Sequence, residues 1–145
     1  MFINNNKTYI SKNTLHTTWY MIDAKDKTLG RLSSKIAYIL KGKTSKTYET
    51  NQTQPINIII INSQFINVTG KKREQLVYKR HSGRPGSLKT ESFNSLQNRI
   101  PNRIIEKAIK GMLPKNSMGR QMFKQLKIYS NEQHPHASQK PNILN

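Results

Sequence analysis

The sequence contains no cysteine and few acidic residues. Its 145 residues include 7 Asp and Glu against 25 Lys and Arg, so the formal net charge is +18. The lack of cysteine excludes disulfides, thiol catalysis and cysteine-ligated zinc or iron–sulfur sites. No stretch approaches the roughly 18 consecutive apolar residues of a transmembrane helix, so no membrane span is predicted. The charge imbalance predicts an anionic partner, which is either a nucleic acid or an anionic membrane surface.

Length and polarity predict one domain with two terminal extensions. The segment 1–18 is polar, has no apolar run and contains no arginine. We therefore expect an N-terminal arm there, and neither a secretory signal nor a transit peptide. Residues 19–130 are predicted to form a single α/β domain, and residues 131–145 an extended, polar C-terminal tail.

Strands and a helix alternate in the first half of the predicted domain. Trp19–Asp23 is aromatic and branched, which favours a strand, and apolar residues at helical spacing predict a helix over Leu29–Lys41. Asn57–Asn62 contains an unbroken isoleucine run, which is typical of a central strand covered on both faces. Ile66–Val68 is expected to be a brief edge strand, and Leu76–Arg80 a further strand.

The second half is predicted to be mainly helical. Helices are expected over Glu91–Asn98, from Pro101 to Gly111 and from Ser117 to about Leu126, before a last strand at Lys127–Tyr129. In the helix that begins at Pro101, the predicted buried face consists of Ile105, Ala108, Ile109 and Met112.

The last two predicted helices each carry a row of cations beside their apolar face. The rows follow i, i+4, i+7 spacing and consist of Arg103, Lys107 and Lys110, and of Arg120, Lys124 and Lys127. Glu106 is the only acid between Arg99 and Lys127. Same-sign rows repel each other and cost stability unless a polyanion neutralises them. We therefore expect both rows to bind phosphate.

Two basic loops extend the predicted phosphate-binding surface. Lys71–Arg73 follows a glycine, and the turn within Arg80–Gly86 displays Arg84, whose guanidinium suits bidentate phosphate contact. An ordinary surface hairpin is the structural alternative for the second loop. The complete set of candidate RNA-binding residues is Arg31, Lys35, Lys71, Lys72, Arg73, Lys79, Arg80, His81, Arg84, Arg103, Lys107, Lys110, Lys115, Arg120, Lys124 and Lys127.

Residues that could support catalysis are few. Asp23 and Asp26 lie at a strand end and a helix start, which is a capping arrangement, and Thr28–Arg31 has one glycine and no nucleotide-binding pattern. The His134–His136 segment is the most metal-like cluster, but its proline-containing tail is a poor platform for a metal. No enzyme activity, cofactor, metal site or small-molecule substrate is predicted. Aromatic residues do not interleave the basic segments, so recognition of RNA backbone and shape is expected rather than of unpaired bases.

A long motif with fixed spacing spans the two cationic helices. Ile109–Pro114 is followed after four residues by Gly119-Arg120 and after five more by Leu126. This pattern resembles the signature of the universal ribosomal protein thirteen family of the large subunit. The likeness extends from about Trp19 to Pro141, and Arg80–Gly86 is similar to cyanobacterial and plastid members in particular. Further matching segments are Trp19–Ala24, Thr28–Leu32, Asn67–Arg73 and His134–Ala137.

The resemblance implies a three-layer α/β/α sandwich around a small, mostly parallel sheet, with extended basic termini. It also implies a structural constituent of the large ribosomal subunit that binds rRNA and supports early assembly. The implied partners are large-subunit rRNA and neighbouring large-subunit proteins, without a membrane. A plastid (chloroplast) ribosome is the expected location, with a bacterial cytoplasm as the alternative. One departure is Gln54-Pro55-Ile56, where many bacterial relatives carry Thr-Gly-Asp.

Two other functions are compatible with parts of the sequence. A free basic regulator could bind RNA outside the ribosome, and an α/β sheet could carry a nucleotide-binding or RNA-modifying enzyme. The enzyme would require a cofactor-binding loop and an acid/base pair, and the sequence shows neither.

Overall fold

A computed structural model describes residues 17–46 and 48–144, so nearly all of the predicted N-terminal arm lies outside the described residues. The strands are β1 (Thr18–Asp23), β2 (Ile56–Ile61), β3 (Val77–His81), β4 (Leu88–Ser92), β5 (Leu126–Ile128) and β6 (Asn142–Ile143). The α-helices are α1 (Leu29–Leu40), α2 (Lys72–Gln75), α3 (Phe93–Arg99), α4 (Asn102–Met112) and α5 (Ser117–Lys124). Single 3₁₀ turns occur at Ser63–Phe65 and Ala137–Gln139.

The central sheet is parallel and has β2 in its interior. Within the described residues it has four strands in the order β5-β2-β1-β6. Ile58 of β2 pairs with Tyr20 of β1 on one side and with Leu126 of β5 on the other. The α/β class with a small, mostly parallel sheet is therefore confirmed, and so is the central position of the isoleucine-rich strand.

The main hydrophobic core joins the sheet to the helices. Ile58, Ile59 and Ile60 are all fully buried, as the predicted burial of β2 on both faces requires. Helix α1 packs Ile36 and Leu40 into the same core. The remaining core residues include Ile22, Ile105, Ile109 and Met122 from β1, α4 and α5.

The buried face of α4 differs from the predicted one. Ile104, Ile105 and Ile109 are buried, whereas Met112 is 42% exposed. The reason is that α4 contributes to two cores. Ile104 packs with Phe93 and Leu96 of α3 in a second, smaller cluster, while its neighbour Ile105 belongs to the main core. The apolar face of α4 is consequently broad, and its buried residues lie between Ile104 and Ile109 rather than at the end of the helix.

In the middle of the chain the start of one predicted helix was wrong, and one predicted strand is not formed. The predicted helix Glu91–Asn98 begins only at Phe93, because Leu88–Ser92 forms β4 and pairs antiparallel with β3. The predicted strand Ile66–Val68 is reduced to an isolated bridge between Asn67 and Thr28, where Asn67 forms backbone hydrogen bonds with the loop before α1.

The chain after α4 also departs from the predicted boundaries. Helix α5 ends at Lys124, so Lys127 lies in β5 and does not continue a helical row with Arg120. The segment after β5 forms the 3₁₀ turn Ala137–Gln139 and then β6, which adds an edge strand to the sheet beside β1. This pairing was not predicted from the sequence.

Gln54–Ile56, where the chain departs from many bacterial relatives, lead into β2. Gln54 is 3% exposed, and its carbonyl oxygen accepts a hydrogen bond from Nε2 of Gln125 at 2.8 Å. The Pro55 carbonyl oxygen accepts from the Thr18 amide at 3.0 Å, and Ile56 starts β2 inside the core. These three residues connect the start of the central strand to β1 and to the residue that precedes β5.

Candidate nucleic-acid interface

A basic groove runs between the β3–β4 hairpin and helix α4. It has a volume of about 550 Å³, and the described residues that line it include seven Lys and Arg but only two Glu. The cations are Lys79, Arg80, Lys89, Arg99, Arg103, Lys107 and Lys110. The fold thus brings the predicted α4 row together with part of the predicted basic loop region. We call this feature the basic groove.

Aromatic rings position two of the α4 lysines. The Lys107 Nζ lies 4.9 Å from the centre of the Tyr78 ring, and the Lys110 Nζ lies 5.9 Å from the centre of the Phe123 ring. Both distances are within the range of cation–π attraction. Burial raises the pKa of the Tyr78 phenol, which further disfavours its ionised form. The two rings hold the lysine chains against the groove wall while the ammonium groups remain accessible to phosphate.

The hairpin places like charges directly across from each other. In the register of β3 and β4, Arg80 is the partner of Lys89. Opposed like charges on neighbouring strands destabilise a sheet. The hairpin is therefore arranged at a cost to its own stability, and bound anions would offset that cost.

The two carboxylates of the groove are each held by an arginine. Glu91 accepts two hydrogen bonds from Arg99, at 2.7 and 3.0 Å, and Glu106 pairs with Arg103 at 3.1 Å. The hydrogen bond from Arg99 holds the pKa of Glu91 below its usual range, and Glu91 in turn raises the pKa of Arg99. The acids thus pair with Arg99 and Arg103, and among the described residues the other cations of the groove form no ion pair with a carboxylate.

The turn between β3 and β4 is internally hydrogen-bonded and displays Arg84 to solvent. Gly83 and Gly86 have φ values of 95° and 74°, which only glycine adopts easily. The Arg84 carbonyl oxygen accepts a 2.6 Å hydrogen bond from the Ser87 hydroxyl, and His81 Nδ1 accepts from the Gly83 amide at 2.9 Å. The backbone of this turn is therefore fixed while the Arg84 side chain is exposed.

The other predicted site residues lie outside the basic groove. The exposed ones are Arg31 and Lys35 on α1, Lys71 to Arg73 at the start of α2, Lys115 before α5, and Arg120 and Lys124 on α5. Lys127 is only half-exposed, and its Nζ donates to the Lys124 carbonyl oxygen at 3.1 Å, where it caps the end of α5. The Arg73 guanidinium donates to the Asn67 amide oxygen at 3.1 Å.

Two cations of the groove and the two aromatic rings that contact its lysines were not predicted from the sequence. Lys89 and Arg99 were not proposed as cations of the site, and Tyr78 and Phe123 were not proposed as its aromatic residues. The Gly-Arg-Pro-Gly turn after β3 is a hairpin signal. It would have predicted that Leu88–Ser92 returns as the second strand, with Lys89 opposite β3.

Asp23, one of the two acidic residues considered for catalysis, has a structural role. The Asp23 carboxylate accepts from the Lys25 amide at 2.9 Å and from the Asn62 side chain at 3.0 Å. The His136 Nε2 is 2.9 Å from the Tyr129 hydroxyl. Within residues 17–46 and 48–144 no group of three or more His, Cys, Asp or Glu is placed to hold a metal ion. None of the helices described is long and apolar enough to cross a membrane.

Comparison with known proteins identifies similar sequences over nearly the whole chain. The sequence model of a family described as "Ribosomal protein L13" matches residues 17–135. The "Large ribosomal subunit protein uL13c" of Gracilaria tenuistipitata var. liui is 58% identical over 139 residues, which cover 96% of this chain and 97% of that protein. The "Large ribosomal subunit protein uL13" of Acaryochloris marina is 54% identical over 139 residues, covering 95% of this chain and 92% of the relative. The protein of the same description from Prochlorococcus marinus subsp. pastoris is 54% identical over 132 residues, or 91% and 92%.

Proposed function

The chain belongs to the ribosomal protein L13 family, and from this premise we propose that it is a structural constituent of the large ribosomal subunit that binds rRNA through its basic groove. The family consists of ribosomal proteins, a structural class, so the chain is not an enzyme. Its relatives include uL13c of Gracilaria and uL13 of cyanobacteria, which supports a plastid ribosome as its location.

The observation that carries the RNA-binding part of the proposal is the uncompensated charge of the basic groove. Its lining has seven cations and two carboxylates, and both carboxylates are already paired with arginines. Lys79 and Arg80 face this groove from the hairpin, and Lys107 and Lys110 face it from α4. Such a concave basic surface attracts the closely spaced phosphates of folded RNA and releases their counterions.

The remaining exposed cations would extend the contact beyond the groove. Arg84 lies at the tip of the hairpin, Lys71 and Lys72 precede and begin α2, and Arg120 lies on α5. These positions belong to separate elements of one packed body. We propose that residues 19–130, with β6 added at the edge of their sheet, form this body, that it neutralises phosphates of several RNA segments at once, and that it supports early subunit assembly in this way.

Salt titration tests the electrostatic mechanism. If about six cations each pair with one phosphate, the logarithm of the affinity should fall with the logarithm of salt concentration at a slope of about −5 on duplex RNA, and somewhat less steeply on single strands. The measurement uses the full chain and large-subunit rRNA. A flat response would contradict the proposed mechanism.

Sedimentation tests the assignment to the ribosome. In sucrose gradients of the source organism, with plastids separated, the protein should comigrate with large subunits and remain there after a moderate salt wash. A free basic regulator would stay near the top of the gradient.

In a competition for incorporation into the subunit, the Arg84→Ala variant should be incorporated less than the unaltered chain. Its melting temperature should stay the same, because the Arg84 side chain is exposed at a turn whose backbone is fixed by other hydrogen bonds. Equal incorporation would remove Arg84 from the site.

A further inference from the structure

A second cleft lies outside the basic groove and differs from it in chemistry. It has a volume of about 930 Å³ and is bordered by the 3₁₀ turn Ser63–Phe65, helix α3 and the segment that follows β5. Only two of its described lining residues are charged, Asp26 and Arg73. Side-chain amides dominate the lining, and they belong to Gln64, Asn67, Asn94, Gln97, Asn98 and Asn131. We call this feature the amide cleft.

An aromatic ring is held open to solvent in this cleft. Phe65 is 53% exposed, although its turn is firmly tied to the body. The Phe65 amide donates to the Asn62 carbonyl oxygen at 3.1 Å, and the Phe65 carbonyl oxygen accepts from the Asp26 amide at 3.3 Å. Asn62 itself adopts a left-handed conformation with φ of 59°. The backbone of the turn therefore holds the Phe65 ring at the surface.

Several amides of the cleft are available for a ligand. Gln97 and Asn67 are engaged, because Gln97 Nε2 donates to the Gln64 carbonyl oxygen at 2.8 Å and Asn67 accepts from Arg73. Asn94, Asn98 and Asn131 are exposed, and their side chains make no hydrogen bond to the residues that the structure describes. Each primary amide offers two donor hydrogens and one acceptor oxygen.

The chemistry of the cleft fits a nucleobase better than a phosphate. A base has a flat π-face that stacks on an aromatic side chain and an edge of donors and acceptors that pairs with amides. Phosphate groups are bound most strongly by cations, and Arg73 is the one cation among the described lining residues. Arg73 lies at the cleft, and Lys71 and Lys72 directly precede it in the chain, so a backbone bound by these cations would bring its nucleotides close to Phe65.

We propose that the amide cleft binds one unpaired nucleobase of rRNA, which stacks on Phe65 and forms hydrogen bonds with the amides of α3. The site rests on the proposed rRNA-binding function and adds base recognition to it. It also departs from the expectation, based on sequence, that only RNA backbone and shape are recognised.

Binding measurements with the full chain and large-subunit rRNA distinguish the contribution of this site from that of the basic groove. Base stacking on an aromatic residue is worth enough that Phe65→Ala should weaken binding by roughly 5- to 150-fold. The salt slope should stay unchanged, because no phosphate contact is removed, and Phe65→Trp should bind as well as the unaltered chain. Equal affinity of Phe65→Ala and the unaltered chain would overturn the amide cleft while the salt slope still supported the groove. A flat salt response of the unaltered chain would overturn the proposed function itself.

Photocrosslinking in the assembled subunit identifies what occupies the cleft. A benzophenone amino acid is introduced at position 65, and at position 38 as the matched control, because Tyr38 is similarly exposed at 51% but lies outside the cleft. After irradiation and nuclease digestion, a nucleotide adduct at position 65 supports the proposal. An adduct to a neighbouring protein, or no adduct above that at position 38, overturns it.

Discussion

Removing the two α4 lysines that face the basic groove should weaken RNA binding without unfolding the protein. The variant replaces Lys107 and Lys110 by glutamine. Both ammonium groups lie over aromatic rings, at 4.9 and 5.9 Å from the ring centres, and neither pairs with a described carboxylate. Each exposed cation–π contact is worth about 0.5–1 kcal/mol. Removing the lysines also removes the like-charge repulsion along the helix, which partly offsets the loss of these contacts. The melting temperature should therefore fall by only a few degrees.

The effect on RNA binding should be much larger than the effect on folding. Each lost phosphate contact reduces the salt slope by about 0.9, so the double variant should lose about 1.8 from the slope of the unaltered chain. If the salt-independent part of binding is unchanged, the same relation predicts a roughly 60-fold loss of affinity at 0.1 M salt. Filter binding or fluorescence anisotropy with large-subunit rRNA over a series of salt concentrations measures both quantities.

The matched control removes the same charge from another part of the surface. Lys43 and Lys46 are exposed and lie outside the basic groove, and their replacement by glutamine also lowers the net charge by two. This control should keep most of the affinity. If the two double variants lose affinity equally, overall charge and not the groove governs binding, and the assignment of the groove is refuted.

Three further predictions concern stability and the tail. Gly119→Ala should lower the melting temperature markedly, because a Cβ at this position would lie 1.8 Å from the Pro114 carbonyl oxygen; an unchanged thermal transition would contradict this close approach. Because Arg99 depresses the pKa of Glu91, the stabilisation from this pair should be complete above the ordinary carboxyl pKa and should be lost as pH falls through the depressed value. In the Arg99→Gln variant, carboxyl titration by NMR should show a higher pKa for Glu91. His136→Ala should shift the emission of the single tryptophan to the red, because the two rings lie 5.2 Å apart, and an unchanged spectrum would place the tail elsewhere in solution.

The elements with strong local periodicity could be predicted from the sequence. The isoleucine run of β2 and the apolar spacing of α1 determine how these segments must be buried, and the structure has them within one residue of the predicted bounds. The cations of α4 were also predicted on a common exposed face. In each case one segment contains the whole signal, so no knowledge of its partners is needed.

Elements that depend on a distant partner were missed. The β4 segment Leu88–Ser92 is mostly polar and exposed, and only pairing with β3 makes it a strand. Strand β6 has two residues and exists because β1 offers a parallel edge. Ile104 was left out of the predicted core because the small cluster with Phe93 forms only when α3 packs on α4. Pairing and packing of this kind are not encoded in the periodicity of one segment.

The small cluster connects folding to the proposed RNA binding. Phe93 is fully buried with Leu96 and Ile104, and Tyr78 of the hairpin packs on the Phe93 ring at 6.5 Å. The same Tyr78 ring also lies under the Lys107 ammonium group, which belongs to the proposed RNA-binding groove. The hairpin is held beside α4 by apolar burial, and this burial offsets the repulsion between the cations that the two elements bring together. The close approach of the cations on the hairpin and on α4 therefore depends on a hydrophobic contact that need not touch RNA.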